Sequence, residues 1–82
     1  LMYSYGELDI INATYGFLRN TPQNIDVYVS NSQIKKFCLR QGDVIVGEVR
    51  KPLNDEQNFG LLNLIYVNGE KGELSRQRPI FD

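Results

Sequence analysis

The stretch IDVYVSNSQIKKF, residues 25–37, changes its hydrophobic period in the middle, and this change decides the fold. In its first five residues, apolar side chains alternate with other side chains, which is the period of a half-buried strand. From Ser30 onward the spacing becomes helical, and Gln33 three residues later completes the pattern of a capping box. The stretch therefore predicts a strand over 25–29 followed by a short helix over 30–37.

Two extended segments precede this stretch and two follow it, each marked by alternation or by β-branched residues. They are GELDII (6–11), TYGFLR (14–19), DVIVGEVRK (43–51) and FGLLNLIYV (59–67). Three strands, a helix and two strands is the order of an all-β fold, the five-stranded OB-type barrel, with a short helix between strands 3 and 4. An SH3-like barrel is the alternative from pattern alone, although it does not normally carry a helix at that point.

Length and charge limit the possible functions. The chain has 82 residues, nine of them basic and ten acidic, so its formal net charge is −1. Such a chain forms one domain with a modest core, and it has no global field for indiscriminate binding to nucleic acid or anionic membranes. No apolar run approaches the ~18 residues of a membrane span, and no signal peptide is visible. These features predict a soluble, cytoplasmic protein without a membrane partner.

The residue types that catalysis and metal binding need are scarce. The chain has no histidine and a single cysteine, Cys38, which is expected to be a buried or half-buried structural residue because no base is present to activate it. The missing histidines argue against a metal site. Asp55 and Glu56 lie in a flexible loop without such partners, so they are not expected to act as catalytic carboxylates. We expect no catalytic residue, metal or cofactor in this chain.

The outward positions of the second and third predicted strands carry an unusual set of side chains. If these strands pair around the loop at 20–24, their outer face gathers three rings, one cation and one anion beside an apolar residue of the first strand. The residues concerned are Tyr15, Phe17, Tyr28, Arg19, Asp26 and Ile11. Because aliphatic residues already fill the inward positions, the pattern favours an exposed aromatic surface.

Exposed rings on a β surface are stacking platforms for unpaired bases, each stacked base contributing about 1–3 kcal/mol. Arg19 and Asp26 offer donors and an acceptor that together match the Watson–Crick edge of cytosine, whereas a uracil carbonyl would face the carboxylate. The pattern predicts binding of single-stranded RNA with a pyrimidine preference that leans to cytosine, and of similar DNA less selectively. A protein-interaction module that uses the rings for a peptide is the alternative, and a nuclease would need a metal site.

Two segments that include this face resemble a known family. YGFLRN (15–20) and DVYVSNSQIKKFCLRQGDVIVGEVRKP (26–52) are similar to the RNA-binding domain of the bacterial transcription termination factor Rho, in the cold-shock-like OB group. The likeness runs from about Gly6 to Phe81 and includes the closing RPIF. It implies a primary site that captures C-rich, unstructured nascent transcript and loads it onto an ATP-driven hexameric helicase for transcription termination.

The resemblance also implies roles for single residues. It assigns base stacking to the rings of the second strand, base-edge recognition to Arg19 and Asp26, and a second base pocket to Tyr28, with Glu56 at its rim. Family members commonly read E-R-Y-F in the loop before the last strand, whereas this chain reads EQNF. Gln57 and Asn58 thus replace an arginine and a tyrosine, so one wall of the second pocket lacks its ring.

The chain is expected to be part of a larger protein. Residues 1–5 are predicted as an N-terminal lead-in, 6–68 as the OB-type RNA-binding domain and 69–82 as a linker toward an absent ATPase domain. Since the chain has no G-x-x-x-x-G-K-[ST] phosphate loop, ATP and Mg²⁺ are expected only in the parent, which the resemblance makes a homohexamer that meets the RNA polymerase complex. The fragment is expected to be monomeric. Arg50 and Lys51, near the binding-face loop, are the candidates for phosphate contacts.

Overall fold

The computed structural model of the protein describes residues 2–71. Its elements in chain order are β1 (Met2–Ile11), β2 (Tyr15–Arg19), β3 (Val27–Val29), α1 (Asn31–Lys36), β4 (Val44–Arg50), β5 (Phe59–Val67) and β6 (Glu70–Lys71). The sheet order is β3-β2-β1-β4-β5-β6, and a parallel pairing of β3 with β5 closes the barrel. This arrangement confirms the predicted five-stranded OB-type fold with its helix between strands 3 and 4.

β1 is longer than the predicted strand. It begins at Met2 rather than Gly6, because residues 2–5 pair antiparallel with residues 46–49 of β4. These residues, expected as a lead-in, are therefore part of the barrel wall. At the other end, β6 adds a short pair to the end of β5, within the segment predicted as a linker. The remainder of the predicted linker, 72–82, lies outside the described residues.

The core of the barrel is aliphatic. Among residues 2–71, nine apolar side chains are buried, and every one of them is a leucine, isoleucine or valine. They are Leu8, Leu18, Val27, Val29, Leu39, Ile45, Val49, Leu61 and Val67. Because branched aliphatic side chains fill the interior, the rings of β2 and β3 are left on the outer surface.

A tight turn between β1 and β2 sets the register in which these two strands pair. Its residues Asn12 and Ala13 have φ values of 53° and 57°, the left-handed pair that matches the twist of a hairpin. The turn places Asp9 opposite Phe17 on the outer surface. Since side chains alternate along a strand, the residues next to Phe17 point into the barrel.

The predicted capping box of α1 is confirmed. The Ser30 hydroxyl accepts from the Gln33 backbone N–H at 3.2 Å, and the Gln33 Oε1 atom accepts from the Ser30 backbone N–H at 3.0 Å. The Gln33 side chain also donates to the Leu61 carbonyl at 2.9 Å, which ties the helix to β5.

The expected burial of Cys38 is wrong: with φ of 53° after the helix, it is exposed, and the next residue, Leu39, enters the core.

Within residues 2–71, no helix is long and apolar enough to span a membrane. The same part of the chain holds no group of three or more histidine, cysteine or acidic side chains that could bind a metal ion.

Candidate nucleic-acid interface

Three rings meet on the outer surface of β2 and β3, where Phe17 and Tyr28 are cross-strand partners. The ring centroids of Tyr15 and Phe17 are 5.8 Å apart and nearly perpendicular, at 86°. Tyr15 and Tyr28 stack at 5.8 Å and 30°, and Phe17 meets Tyr28 at 6.0 Å and 71°. We call these three residues the aromatic face. The structure thus brings the predicted rings into one cluster, with Ile11 half-buried opposite Tyr15 at the end of β1.

Arg19 lies at the edge of the aromatic face, with its guanidinium carbon 5.3 Å from the centre of the Phe17 ring. Its Nη1 atom donates to Asp26 at 2.7 Å, and its Nε atom donates to Asp9 at 3.2 Å. All three side chains are partly exposed, so solvent screens these ion pairs and each contributes only about 0–1 kcal/mol to stability. Their main effect is therefore to orient the guanidinium.

Asp9 and Gln41 are contacts of this site that the sequence did not reveal. The Gln41 side-chain amide donates to the Asp9 carboxylate at 3.1 Å, and its carbonyl accepts from the Ile10 backbone N–H at 2.7 Å. The sequence did contain a signal for Asp9, because the alternation along the first strand puts it on the same outward face as Ile11, two residues later. Gln41 had none, because it is in the loop after the helix and no local period connects it to β1.

A second pocket, with a volume of about 390 Å³, adjoins the aromatic face. Its lining consists of Tyr28, Arg50, Glu56, Gln57, Asn58, Phe59 and Gly60. The pairing of β3 with β5 builds it, since Tyr28 is the register partner of Gly60. Tyr28 belongs to both features, so the aromatic face and the second pocket form one continuous surface. The three loop residues predicted for the second base site all line this pocket.

A bidentate ion pair forms one wall of the second pocket. The Arg50 guanidinium donates to both oxygens of Glu56, at 2.6 and 3.1 Å, and the Leu53 backbone N–H donates to the same carboxylate at 3.1 Å. The hydrogen bond from Arg50, followed by that from Leu53, lowers the pKa of Glu56, and the same pair raises the pKa of Arg50. The ion pair is therefore fully formed above the usual pKa of a glutamate, persists below it, and is lost as pH falls through the lowered value.

The two predicted phosphate contacts differ in their surroundings. Arg50 is engaged by Glu56, and a Cβ atom added at Gly60 would lie 3.3 Å from its guanidinium carbon, so this guanidinium packs against the β5 backbone. Lys51, the next residue, is exposed. The sequence placed Arg50 near the binding face but not within the pocket wall, because the pairing depends on how the loop after β4 folds back.

Comparisons with known proteins show the family of this chain. A family model described as "Rho termination factor, RNA-binding domain" matches residues 4–73. The transcription termination factor Rho of Streptobacillus moniliformis is 94% identical over 82 residues, which is 100% of this chain and 20% of that protein. The Rho proteins of Bacillus subtilis and Haemophilus influenzae are 41% and 38% identical, each over 99% of this chain and 20% of their own length.

The chain spans about a fifth of the length of these curated relatives. The family match includes β1 from Ser4 onward, all the other strands, the aromatic face and the second pocket. It confirms the resemblance that YGFLRN and the segment 26–52 indicated. With the family model covering most of its residues and Rho proteins aligning along nearly its whole length, the chain belongs to the RNA-binding-domain family of the Rho termination factor.

Proposed function

We propose that this chain binds single-stranded RNA with a preference for cytosine, as the primary RNA site of a Rho-type transcription termination factor. The observation that carries the proposal is the aromatic face with Arg19 held at its edge between two carboxylates. Membership of an RNA-binding-domain family supports the ligand class. The near-neutral charge of the chain supports recognition by shape and base contacts over general attraction to phosphates.

Base stacking provides the sequence-independent part of the affinity. Every base has a π-face, and a ring that receives one contributes about 1–3 kcal/mol. Phe17 contacts both tyrosines of the aromatic face as well as Arg19, so neighbouring side chains restrain its ring before RNA arrives. Such restraint reduces the entropy lost on binding. In a duplex the base faces are covered, so the aromatic face selects unpaired RNA.

Base-edge recognition provides the preference for cytosine. A carboxylate such as Asp26 accepts from the 4-amino group, while the guanidinium of Arg19 donates to the ring nitrogen and the carbonyl oxygen. Uracil presents a carbonyl oxygen where cytosine has the amino group. That oxygen and the carboxylate are both acceptors, so no hydrogen bond would form between them. The distance of 2.7 Å between Arg19 Nη1 and Asp26 supports this assignment, because it holds donor and acceptor side by side.

The second pocket accepts the neighbouring base. Its volume of about 390 Å³ lies within the range of ~300–1,000 Å³ found for small-molecule sites. Tyr28 offers a ring for stacking, and the guanidinium plane of Arg50, held by Glu56, offers a second flat surface. We assign Gln57 and Asn58 to polar contacts with this base, and Lys51 to a phosphate beside it.

The parent protein supplies the remaining steps. We propose that it passes the captured transcript to a hexameric helicase that uses ATP and Mg²⁺, at the RNA polymerase complex in the bacterial cytoplasm. The names of the relatives support the role in termination, and this chain's share of about 20% of their length leaves ample sequence for a motor. This chain acts as the binding domain and carries no catalytic step.

A titration with short labelled oligonucleotides tests the proposed function. We expect saturable binding of oligo-C RNA, weaker binding of oligo-U and oligo-A, and no binding of the matching duplex, measured by fluorescence anisotropy. Because few phosphates are neutralised, the slope of log affinity against log salt should be shallow, corresponding to a few released counterions. A steep slope with equal affinity for duplex would contradict the proposal, and saturation by peptides alone would assign the rings to protein contacts.

Asn58→Tyr is expected to strengthen the second pocket. A ring at this lining position would face Tyr28 across the pocket and tighten binding of an oligo-C dinucleotide or longer by up to about 1–3 kcal/mol. A single nucleotide on Phe17 should gain little. Calorimetry of the wild type and of Asn58→Tyr with the same ligands measures the change in affinity. The matched control is Leu53→Tyr, which adds a ring to an exposed position of the same loop outside the pocket lining.

Equal gains in the two variants would mean that any exposed ring in the loop suffices. No gain in affinity in a folded Asn58→Tyr variant would show that this residue is not part of the binding surface.

A further inference from the structure

We propose that Asp9 and Gln41 are positioning residues for cytosine recognition, which hold Arg19 in the orientation that reads a base and keep it from binding phosphate instead. The inference rests on the proposed function, since it concerns the same site. It adds two residues, one from β1 and one from the loop after α1, that touch no base themselves. They act through Arg19.

A continuous chain of hydrogen bonds leads from the backbone of β1 to the guanidinium. The Ile10 N–H donates to the Gln41 carbonyl at 2.7 Å, and the Gln41 amide donates to one oxygen of Asp9 at 3.1 Å. The other oxygen of Asp9 accepts from Arg19 Nε at 3.2 Å. Both ends of the Gln41 amide are thus used, which fixes the rotamer of Asp9 and, through it, the plane of the guanidinium.

The segment that carries Gln41 is itself fixed to β1. The Gly42 N–H donates to the Leu8 carbonyl at 2.8 Å, and the Leu8 N–H donates to the Asp43 carbonyl at 2.8 Å. Two backbone hydrogen bonds to one core residue hold this loop against the strand. The backbone next to Gln41 is therefore held in place by hydrogen bonds, although the Gln41 side chain is at the surface.

The guanidinium has only a limited set of donors left for a ligand. Its Nε and Nη1 atoms already donate to Asp9 and Asp26, and its carbon lies over the Phe17 ring. Within the described part of the chain, Nη2 is the nitrogen without a hydrogen bond to protein. A fixed plane with one available edge suits a base that is stacked on the same ring. A freely rotating arginine would favour phosphate, which accepts from any direction.

The net charge around Arg19 also favours a base over a phosphate. Two carboxylates around one guanidinium give the cluster of Asp9, Arg19 and Asp26 a formal charge of −1. A phosphate is repelled by this excess, whereas an amino group of a base is attracted to it. Gln41 binds Asp9 without cancelling its charge, because an amide is neutral. The cluster therefore discriminates between ligand groups by sign as well as by geometry.

The test compares oligo-C and oligo-U RNA at several salt concentrations. Asp9→Asn removes one negative charge and the fixed acceptor for Arg19. We expect the affinity ratio of oligo-C to oligo-U to fall about tenfold, as loss of one charge-assisted hydrogen bond predicts. We also expect the salt slope for oligo-U to steepen by up to about one unit, because the released arginine gains a phosphate.

Three further variants separate positioning from charge. Gln41→Ala leaves the charge and the Asp9–Arg19 ion pair in place, so it should lower the ratio and change the salt slope less than Asp9→Asn does. Asp9→Glu keeps a carboxylate and should retain more of the ratio than Asp9→Asn. Glu7→Gln is the matched control: it removes the same charge from β1 directly opposite Arg19, at an exposed position outside the hydrogen-bonded chain, and should leave the ratio unchanged.

An unchanged ratio and slope in folded Asp9→Asn would overturn the inference while the proposed function stands. An effect of Glu7→Gln equal to that of Asp9→Asn would also overturn it, in favour of general charge. If Asp9→Asn does not fold, Gln41→Ala decides, and an unchanged ratio there contradicts the inference. A wild-type chain that binds no RNA, or binds oligo-C and oligo-U equally, would overturn the proposed preference and the inference together.

Discussion

Replacement of Phe17 by alanine is expected to weaken binding of every single-stranded sequence by about 1–3 kcal/mol, through loss of the central stacking ring. The ring contacts Tyr15, Tyr28 and Arg19 on the outer surface and is absent from the buried core. Because the loss is one of stacking, oligo-C and oligo-U should lose affinity by similar factors. Calorimetry measures the change, and circular dichroism shows whether the barrel persists.

Tyr5→Ala provides the matched control for this prediction. Tyr5 is also an aromatic residue on the outside of the barrel, 52% exposed, but it pairs with Val46 of β4, away from the aromatic face. Its removal should leave RNA affinity unchanged. If Phe17→Ala kept full affinity, or unfolded the chain, the assignment of this ring to the binding surface would be wrong.

Leu18→Ala, one residue further along β2, is expected to have the opposite consequence. Leu18 is fully buried, and its cross-strand partners Leu8 and Val27 are buried as well. Loss of a leucine side chain from such a core destabilises a protein by about 2–5 kcal/mol, from the lost transfer free energy and the remaining cavity. A barrel of this size has little stability to spare. Urea denaturation followed by circular dichroism measures the free energy of unfolding.

The control for the core substitution is Leu62→Ala, since Leu62 is 47% exposed on β5 and should contribute little. The fraction of Leu18→Ala that remains folded should bind oligo-C normally, because the aromatic face is untouched. A small loss of stability with a large loss of affinity would mean that β2 presents the other face to RNA, and the register of the hairpin would need revision.

The alternation along β2 and β3 was sufficient to predict the aromatic face, because a half-buried strand has a period of two residues and each side chain's face follows from it. The start of β1 was not predictable in this way. The predicted strand began at Gly6, yet this glycine lies inside β1 at a buried position, where an added Cβ would lie 2.5 Å from the Arg19 carbonyl. Close approach of two backbones requires this glycine, and a sequence pattern does not show such an approach.

Long-range side-chain contacts were the other part that the sequence did not show. Asp9 and Gln41 are separated by 32 positions and meet only because the loop after α1 docks on β1. Arg50 and Glu56 are closer in sequence, but their pairing depends on how the loop between β4 and β5 folds back. Local periodicity reports which face a residue occupies, whereas these contacts depend on tertiary packing.

The short parallel seam between β3 and β5 has a consequence for the response of the barrel to its ligand. Only two residue pairs join these strands, Val27 with Phe59 and Tyr28 with Gly60, and this is the shortest join in the five-stranded barrel. Segments held by few contacts are those that open locally at the lowest free energy. In the proposed function, RNA that occupies both the aromatic face and the second pocket would lie across this seam and would stabilise the closed form by mass action, since it binds that form. On that proposal, bound RNA would help to maintain the surface that holds it, and its release would leave β3 and β5 as the strand pair that separates most readily.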